Sequence, residues 1–475
     1  MENIQRRRFL KMATSLGALF WILSWAYVAS VPIFDDEVFY TSAGAAAGQF
    51  LAGNLTFLEA RTAVVGNGWF TPGIPLILAP IYAIDPTPNY VILRLYANIL
   101  TFLLWVWALR EIYSTFGHRY AMVLFIFPSL DITWHFFTPG IWSDLPMGLI
   151  LIIILSRIWK LSNLAFEEDK AGFWEIFIIE TLLCFAFYLR GNSILIIVAV
   201  HIFLFSVFVL SGKWNLLLKR TGSLTTGALL CIVGLAPWSI TASRQLGDTI
   251  ISTSTPALSF GITFGDRERL CFQPCPVVTG NIWLDTVNFS RAYAAEHGVS
   301  EIQAQKTMTS NATHGLTIAR YLKQVRANFQ RFLLRPAGFA QDRFLPRSKL
   351  RLSKQTVDWV GRFIELWTGV LYFPFLLALA LANGTIILNS RREQLESLCL
   401  KMFTLCLFVQ PFVHPGHSRY WPLFGPLMAV SGAFLLKIAT RERGMNESGS
   451  KALVAIQGLY VLFVLMFGLT LFLVG

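Results

Sequence analysis

Eleven apolar stretches, each long enough to cross about 30 Å of hydrocarbon, run from one end of this 475-residue chain to the other. They lie near 12–32, 90–109, 120–137, 141–158, 173–189, 193–211, 222–241, 362–388, 396–414, 418–438 and 453–474. In lipid only a helix or a closed barrel satisfies its own backbone, and period-2 alternation is absent. The expected fold is therefore an all-α polytopic membrane protein with about eleven spans. Charged residues make up 14% of the chain, against about 25% in soluble domains. That excludes a soluble enzyme, a disordered chain and a disulfide scaffold.

A twelfth candidate, Pro72 to Ile84, would reach only about 20 Å as a helix, and charge decides its fate. If it does not cross and the N-terminus is cytoplasmic, nineteen Lys and Arg flank the spans inside. These are Arg6, Arg7, Arg8, Lys11, Arg110, Arg119, Arg157, Lys160, Lys170, Lys213, Lys219, Arg220, Arg391, Arg392, Lys401, Lys437, Arg441, Arg443 and Lys451. Only Arg61, Arg94, Arg190 and Arg419 then lie outside, the long loop 242–361 set apart. A crossing would invert every later loop and violate the positive-inside rule. The segment is expected at the outer surface as a re-entrant or juxtamembrane helix.

Three regions follow: a membrane core 1–241 with an external loop 33–89, an external loop 242–361, and the last spans 362–475. In the loop 242–361, Ile318, Leu322, Val325, Phe329 and Phe332 recur at helical spacing, with Arg320, Lys323 and Arg331 off that face. This pattern predicts an amphipathic helix on the membrane, held by snorkelling side chains or by anionic lipid head groups. The net charge of +12 is thus topology plus one interfacial loop, and nucleic acid is not required.

Other signals are weaker than they look. Arg6-Arg7-Arg8-Phe9-Leu10-Lys11 fits a twin-arginine export signal, yet a basic flank on a first span gives the same string. Gly66-Asn67-Gly68 lacks the spacing of a phosphate loop. Cys184, Cys231, Cys399 and Cys406 fall within spans and read as packing. Cys271 and Cys275 sit in the external loop, where an oxidising compartment would permit a disulfide.

Ionisable groups in or at the ends of spans are functional candidates by default. By this topology Asp131, His135, Asp144, Arg94, Arg190, His414, His417 and Arg419 crowd the outer side, while Glu180 and His201 lie deeper. That favours a cavity open to the outside over a path through the bilayer. Asp35-Asp36-Glu37 directly follows the first span. Three adjacent carboxylates repel one another, which suits proton transfer; an ordinary polar stop to a helix would need no such cluster.

Asp35-Asp36-Glu37-Val38-Phe39-Tyr40 resembles the acidic motif of the C-type polytopic glycosyltransferases, which include the protein O-mannosyltransferases and bacterial enzymes using polyprenyl-phosphate sugars. Thr71-Pro72-Gly73-Ile74-Pro75-Leu76 resembles their juxtamembrane Pro-Pro-Gly-Tyr-Pro-Leu, with Thr for the first proline. Arg94-Leu95 and Ser143-Asp144-Leu145-Pro146 resemble motifs opening the second and fourth spans. Weaker echoes are Leu189-Arg190-Gly191 and His417-Ser418-Arg419-Tyr420 before Pro422. The resemblance covers the first 240 residues and about 30 near residue 420; the loop 242–361 matches none of it.

The resemblance implies transfer of a sugar from a polyprenyl-phosphate donor to an extracytoplasmic acceptor (glycan, lipid or protein), with inversion. Asp36 is the first choice as general base and Asp35 the alternative register. Glu37 would orient the acceptor or hold a divalent metal with Asp35. Arg94, Arg190 and Arg419 would take the donor phosphate, Arg being suited to phosphate oxygens. Structural alternatives stand beside each role. Arg94 and Arg190 could be snorkelling anchors, Asp144 a helix cap, His414 and His417 packing groups, and Asp131 and His135 partners to each other. Tyr420 completes the candidate cavity. The competing class is a transporter or lipid flippase. A bacterial plasma membrane is the expected location, with the endoplasmic reticulum as alternative.

Overall fold

A computed structural model describes residues 2–167, 172–334, 336, 338–339, 354–416, 418–440 and 449–473. All regular elements among them are helical. Helices α1 (Glu2–Val28), α2 (Asp36–Leu51), α3 (Phe57–Val65), α4 (Gly73–Ile84) and α5 (Tyr90–Phe116) come first. Then follow α6 (His118–Leu130), α7 (Ile132–Phe137), α8 (Asp144–Glu167), α9 (Phe173–Leu189), α10 (Ile194–Leu210) and α11 (Trp214–Leu246). Helices α12 (Thr255–Phe264), α13 (Ile282–His297), α14 (Glu301–Thr313) and α15 (Ile318–Leu334) fill much of the long loop. The chain closes with α16 (Lys354–Gly384), α17 (Arg391–Leu407), α18 (Trp421–Ala439) and α19 (Lys451–Leu473).

Nine helices among the described residues are long and apolar enough to cross a membrane, so the chain is a polytopic membrane protein. Two of the eleven expected stretches take a different form among the described residues. The stretch 173–189 forms a helix of 17 residues. The stretch 120–137 is broken at Asp131, where α6 ends after Pro128 and α7 begins. The Asp131 carboxylate caps α7 through Thr133 N at 2.9 Å and Thr133 Oγ1 at 2.7 Å, and accepts the Tyr372 hydroxyl at 2.5 Å. It does not bond His135, whose Nδ1 faces Ser24 Oγ of α1 at 2.5 Å.

Helix α8 is the hub, packed by α5, α9, α10, α17 and α18. Its run Leu149–Leu155 is apolar all round and fully enclosed, as a central helix requires. Helix α19 is the opposite case, docked along one narrow line and otherwise exposed to the surroundings. That line is polar. Residues 385–390 between α16 and α17 are not helical, so their backbone groups need partners outside a helix. Gln457 of α19 accepts Ile387 N at 3.1 Å and donates to Ile387 O at 3.3 Å, while Gln394 donates to Leu388 O at 3.0 Å. Lys401, counted above with the flanking charges, lies inside and donates to Thr385 O and Ser397 Oγ, both at 2.6 Å.

Between α1 and α5, α2 lies on α4 through a small-residue face. A Cβ at Gly48 would sit 2.4 Å from Tyr82 Cβ, and one at Gly44 would sit 3.0 Å from Leu78 Cβ. Glycines four apart let the two backbones approach. Gly73, at the head of α4, is as tight. Its Cβ would meet Tyr188 O at 2.3 Å, which docks α4 on the end of α9 just before Arg190.

The amphipathic helix α15 packs part of its apolar face on protein. Val325 and Phe332 are buried, but against protein. Tyr321 donates to Phe412 O at 2.9 Å, Asn328 to Pro411 O at 2.9 Å, and Trp421 stacks on Phe332 at 5.0 Å. A Cβ on Gly416 would lie 1.9 Å from Asn328 O, so only glycine passes here. Part of the apolar face of α15 therefore braces the turn before α18, while Ile318 at its start stays exposed. Its basic face, with Arg320, Lys323 and Arg331, stays exposed. Cys271 and Cys275 are joined by a disulfide, Cα–Cα 5.0 Å.

Candidate active site

The acidic triplet stands at the start of α2 and its members have different fates. Glu37 is fully buried and forms a two-pronged ion pair with Arg94 of α5, also fully buried. Arg94 Nη1 and Nη2 reach Glu37 Oε1 and Oε2 at 2.9 and 2.8 Å. The remaining Arg94 donors go to Val31 O at 2.9 Å, Pro32 O at 3.0 Å and Pro139 O at 3.4 Å. Glu37 also accepts Ile141 N at 2.9 Å and Phe34 N at 3.3 Å. All five N–H groups of Arg94 and four acceptor positions of Glu37 are engaged.

Two expectations fall with that geometry. Arg94 has no donor left for a phosphate and no route to one. Glu37 has no position left for an acceptor or a metal, so Asp35 and Glu37 do not form a metal pair. Among the described residues no group of three or more His, Cys, Asp or Glu is placed to hold an ion. The pair instead ties the chain after α1 to the 139–141 turn.

Clamping has a consequence next door. Asp35, the residue preceding α2, sits at φ 48°, ψ −130°, a conformation that suits glycine and costs another residue about 1–3 kcal/mol. The Glu37 bonds to Phe34 and Arg94, with Val38 N on Asp35 O at 3.1 Å, hold the backbone there. That strained step aims Asp36 away from the buried pair.

Asp36 meets a second, more open set of charges. Its Oδ2 lies 2.5 Å from Arg419 Nη2, and both side chains keep about a fifth of their surface exposed (20% and 17%). Arg419 Nε lies 3.7 Å from Asp144 Oδ2, and Asp144 Oδ1 accepts Nη1 of Arg190. Asp144 opens α8 and is fully buried, with Oδ2 lacking a hydrogen bond. It is thus no mere helix cap: it gathers the guanidiniums that follow α9 and precede α18. Four residues from distant parts of the chain form one row, Asp36–Arg419–Asp144–Arg190.

Aromatic rings wall the row. Arg190 lies over Tyr420 at 4.7 Å, and Arg419 lies over Trp142 at 4.9 Å and Tyr420 at 5.5 Å. Tyr40, one turn from Asp36 on α2, is buried and hydrogen-bonded to Ser143. Burial, aided by the Asp36 charge, pushes its phenol above the ordinary range and keeps it neutral. His414 stands beside Tyr420, ring centroids 6.1 Å apart. Burial pushes its imidazole down to about 4, and the Arg419 and Arg190 charges act in the same direction.

Of the predicted residues, Asp36, Asp144, Arg190, Arg419, Tyr420 and His414 come together. Arg94, Glu37, Asp131 and His135 are engaged elsewhere, and His417 lies outside the described residues. Trp142 and Tyr40 were missed as site residues, although each stands within a quoted motif or directly beside one. Two surface pockets lie apart from the row, one lined by Arg7, Lys11 and Arg110, the other along α16 by Arg362, Glu365 and Phe373. No family model matches the chain, no curated protein matches its sequence, and no solved structure matches its fold.

Proposed function

We propose that the protein is a C-type membrane glycosyltransferase that moves a sugar from a polyprenyl-phosphate donor to an extracytoplasmic hydroxyl, with the N-terminus cytoplasmic. One observation carries the reading. Residues from the acidic motif, the Ser-Asp motif opening α8, the turn after α9 and the late Arg-Tyr form one connected charge row. A lipid phosphate leaves as a stabilised anion, so the departing side needs guanidinium rather than a proton donor. Arg190 and Arg419 supply it.

Asp36 is the general base. While it holds Arg419 its carboxylate is engaged; a donor phosphate competing for Arg419 would free it. The acceptor O–H then gives its proton to Asp36 as its oxygen attacks the anomeric carbon. The carbon–oxygen bond to phosphate breaks, and its electron pair departs with the lipid phosphate onto Arg190 and Arg419. Direct displacement inverts the anomeric centre. A transporter would draw on the helix break at Asp131, but that carboxylate is engaged by Thr133 and Tyr372.

Purified protein in detergent, given a panel of polyprenyl-phosphate sugars with and without short acceptor alcohols, tests this. The expected result is release of polyprenyl phosphate by the wild type and none by Asp36→Asn. Equal release by the variant would remove Asp36 as base. Absence of donor binding across the panel would favour transport.

A further inference from the structure

Helices α9 and α11 cross more closely than ordinary side chains allow. A Cβ on Gly227 would sit 2.8 Å from Ile176 Cγ2 and 2.9 Å from Glu180 Cγ, and one on Gly234 would sit 3.0 Å from Cys184 Sγ. Gly227, Cys231 and Gly234 make a small-residue stripe on α11, and Ile176, Glu180, Cys184 and Tyr188 make the facing stripe on α9. The approach brings Cys184 Sγ within 3.4 Å of Cys231 Sγ. Tyr188 donates to Gly234 O at 2.7 Å one turn further on.

Packing alone does not need two thiols facing each other across this crossing. Cys231 is buried, while Cys184 keeps partial exposure on the outside of the bundle, where a lipid-soluble reagent arrives. Glu180, almost fully buried, places Oε1 3.0 Å from His201 Nε2. A proton acceptor is therefore built in one helical turn from Cys184.

We propose that Cys184 and Cys231 are a redox-modified pair, oxidised to a disulfide by a lipid-soluble quinone. Two S–H bonds break and one S–S bond forms. Two electrons and two protons pass to the quinone, which leaves as the quinol. The bridge staples α9 to α11 and fixes the end of α9 that carries Arg190. It stands independently of the transferase reading.

The test uses the full-length protein in detergent, treated anaerobically with a fully substituted benzoquinone, which cannot add to thiols. Remaining thiols are then alkylated after denaturation and mapped by mass spectrometry. The expected result is joint loss of alkylation at Cys184 and Cys231, a cross-linked peptide, and a protein lighter by two hydrogen atoms. Reductant reverses all three, and Cys399 and Cys406 stay alkylated. In Cys184→Ser, Cys231 stays alkylated too. Persistent alkylation of both residues in the wild type, oxygen adducts in place of the cross-link, or loss of Cys231 alkylation in Cys184→Ser would overturn the proposal.

Discussion

Two acid–arginine pairs stand side by side at the head of α2 and do opposite work. Glu37–Arg94 is closed: both side chains are fully buried, and every donor of Arg94 has a partner. Asp36–Arg419 is open, with both side chains partly exposed and a row of charge leading on to Arg190. Adjacent residues in sequence thus give one closed clamp and one open, partly exposed pair. What separates them is neither residue type nor depth read from topology, but how completely their hydrogen-bonding capacity is used.

The largest effect is expected at the closed pair. Removing one partner strands a buried charge, at a cost of about 3–5 kcal/mol. Arg94→Met should leave little folded protein, read as loss of the monodisperse peak in size-exclusion chromatography. The double replacement Glu37→Leu with Arg94→Met should recover part of it. A stable, active Arg94→Met would break the distinction.

Next comes Arg419. In Arg419→Ala the fold should persist, because the pair is partly solvated, and donor affinity should fall about 10- to 100-fold, as loss of a charge-assisted phosphate contact implies. Unchanged binding would take Arg419 out of the site.

Asp35→Gly sharpens the choice between neighbouring acids. Glycine accepts φ 48°, so the variant should gain about 1 kcal/mol in denaturant unfolding. It should keep activity if Asp36 is the base and lose it if Asp35 is.

The smallest effect belongs to His414. Its imidazole titrates near 4 when folded, below the ordinary value of about 6.5. Between those values the unfolded chain binds the extra proton, so stability falls as pH drops from about 6.5 towards 4. His414→Asn should make that loss shallower in melting-temperature measurements, with no change above pH 7.

The membrane architecture was legible because hydrocarbon thickness acts directly on residue runs, and nine apolar helices follow it. The break at Asp131 was not, since Thr133 and Tyr372 satisfy a carboxylate that the sequence shows only as an acid in a span. Lys401 hid its role in the same way: it reads as a flanking charge, and the structure buries it with its ammonium on the Thr385 carbonyl between α16 and α17. The helical spacing of α15 was legible, but that Val325 and Phe332 meet protein was not, because amphipathicity does not say what covers a face. In the site, Asp36, Asp144, Arg190 and Arg419 were named from motifs. That Arg94 and Glu37 would satisfy each other could not be seen, because it depends on the backbone carbonyls of residues 31, 32 and 139.

The most direct test measures melting temperature and polyprenyl-phosphate release on the same preparations of wild type, Asp36→Asn and Glu37→Gln. The account predicts wild-type melting without release for Asp36→Asn, and a strongly lowered melting temperature for Glu37→Gln. Release retained in Asp36→Asn, or Glu37→Gln melting like the wild type, would contradict it.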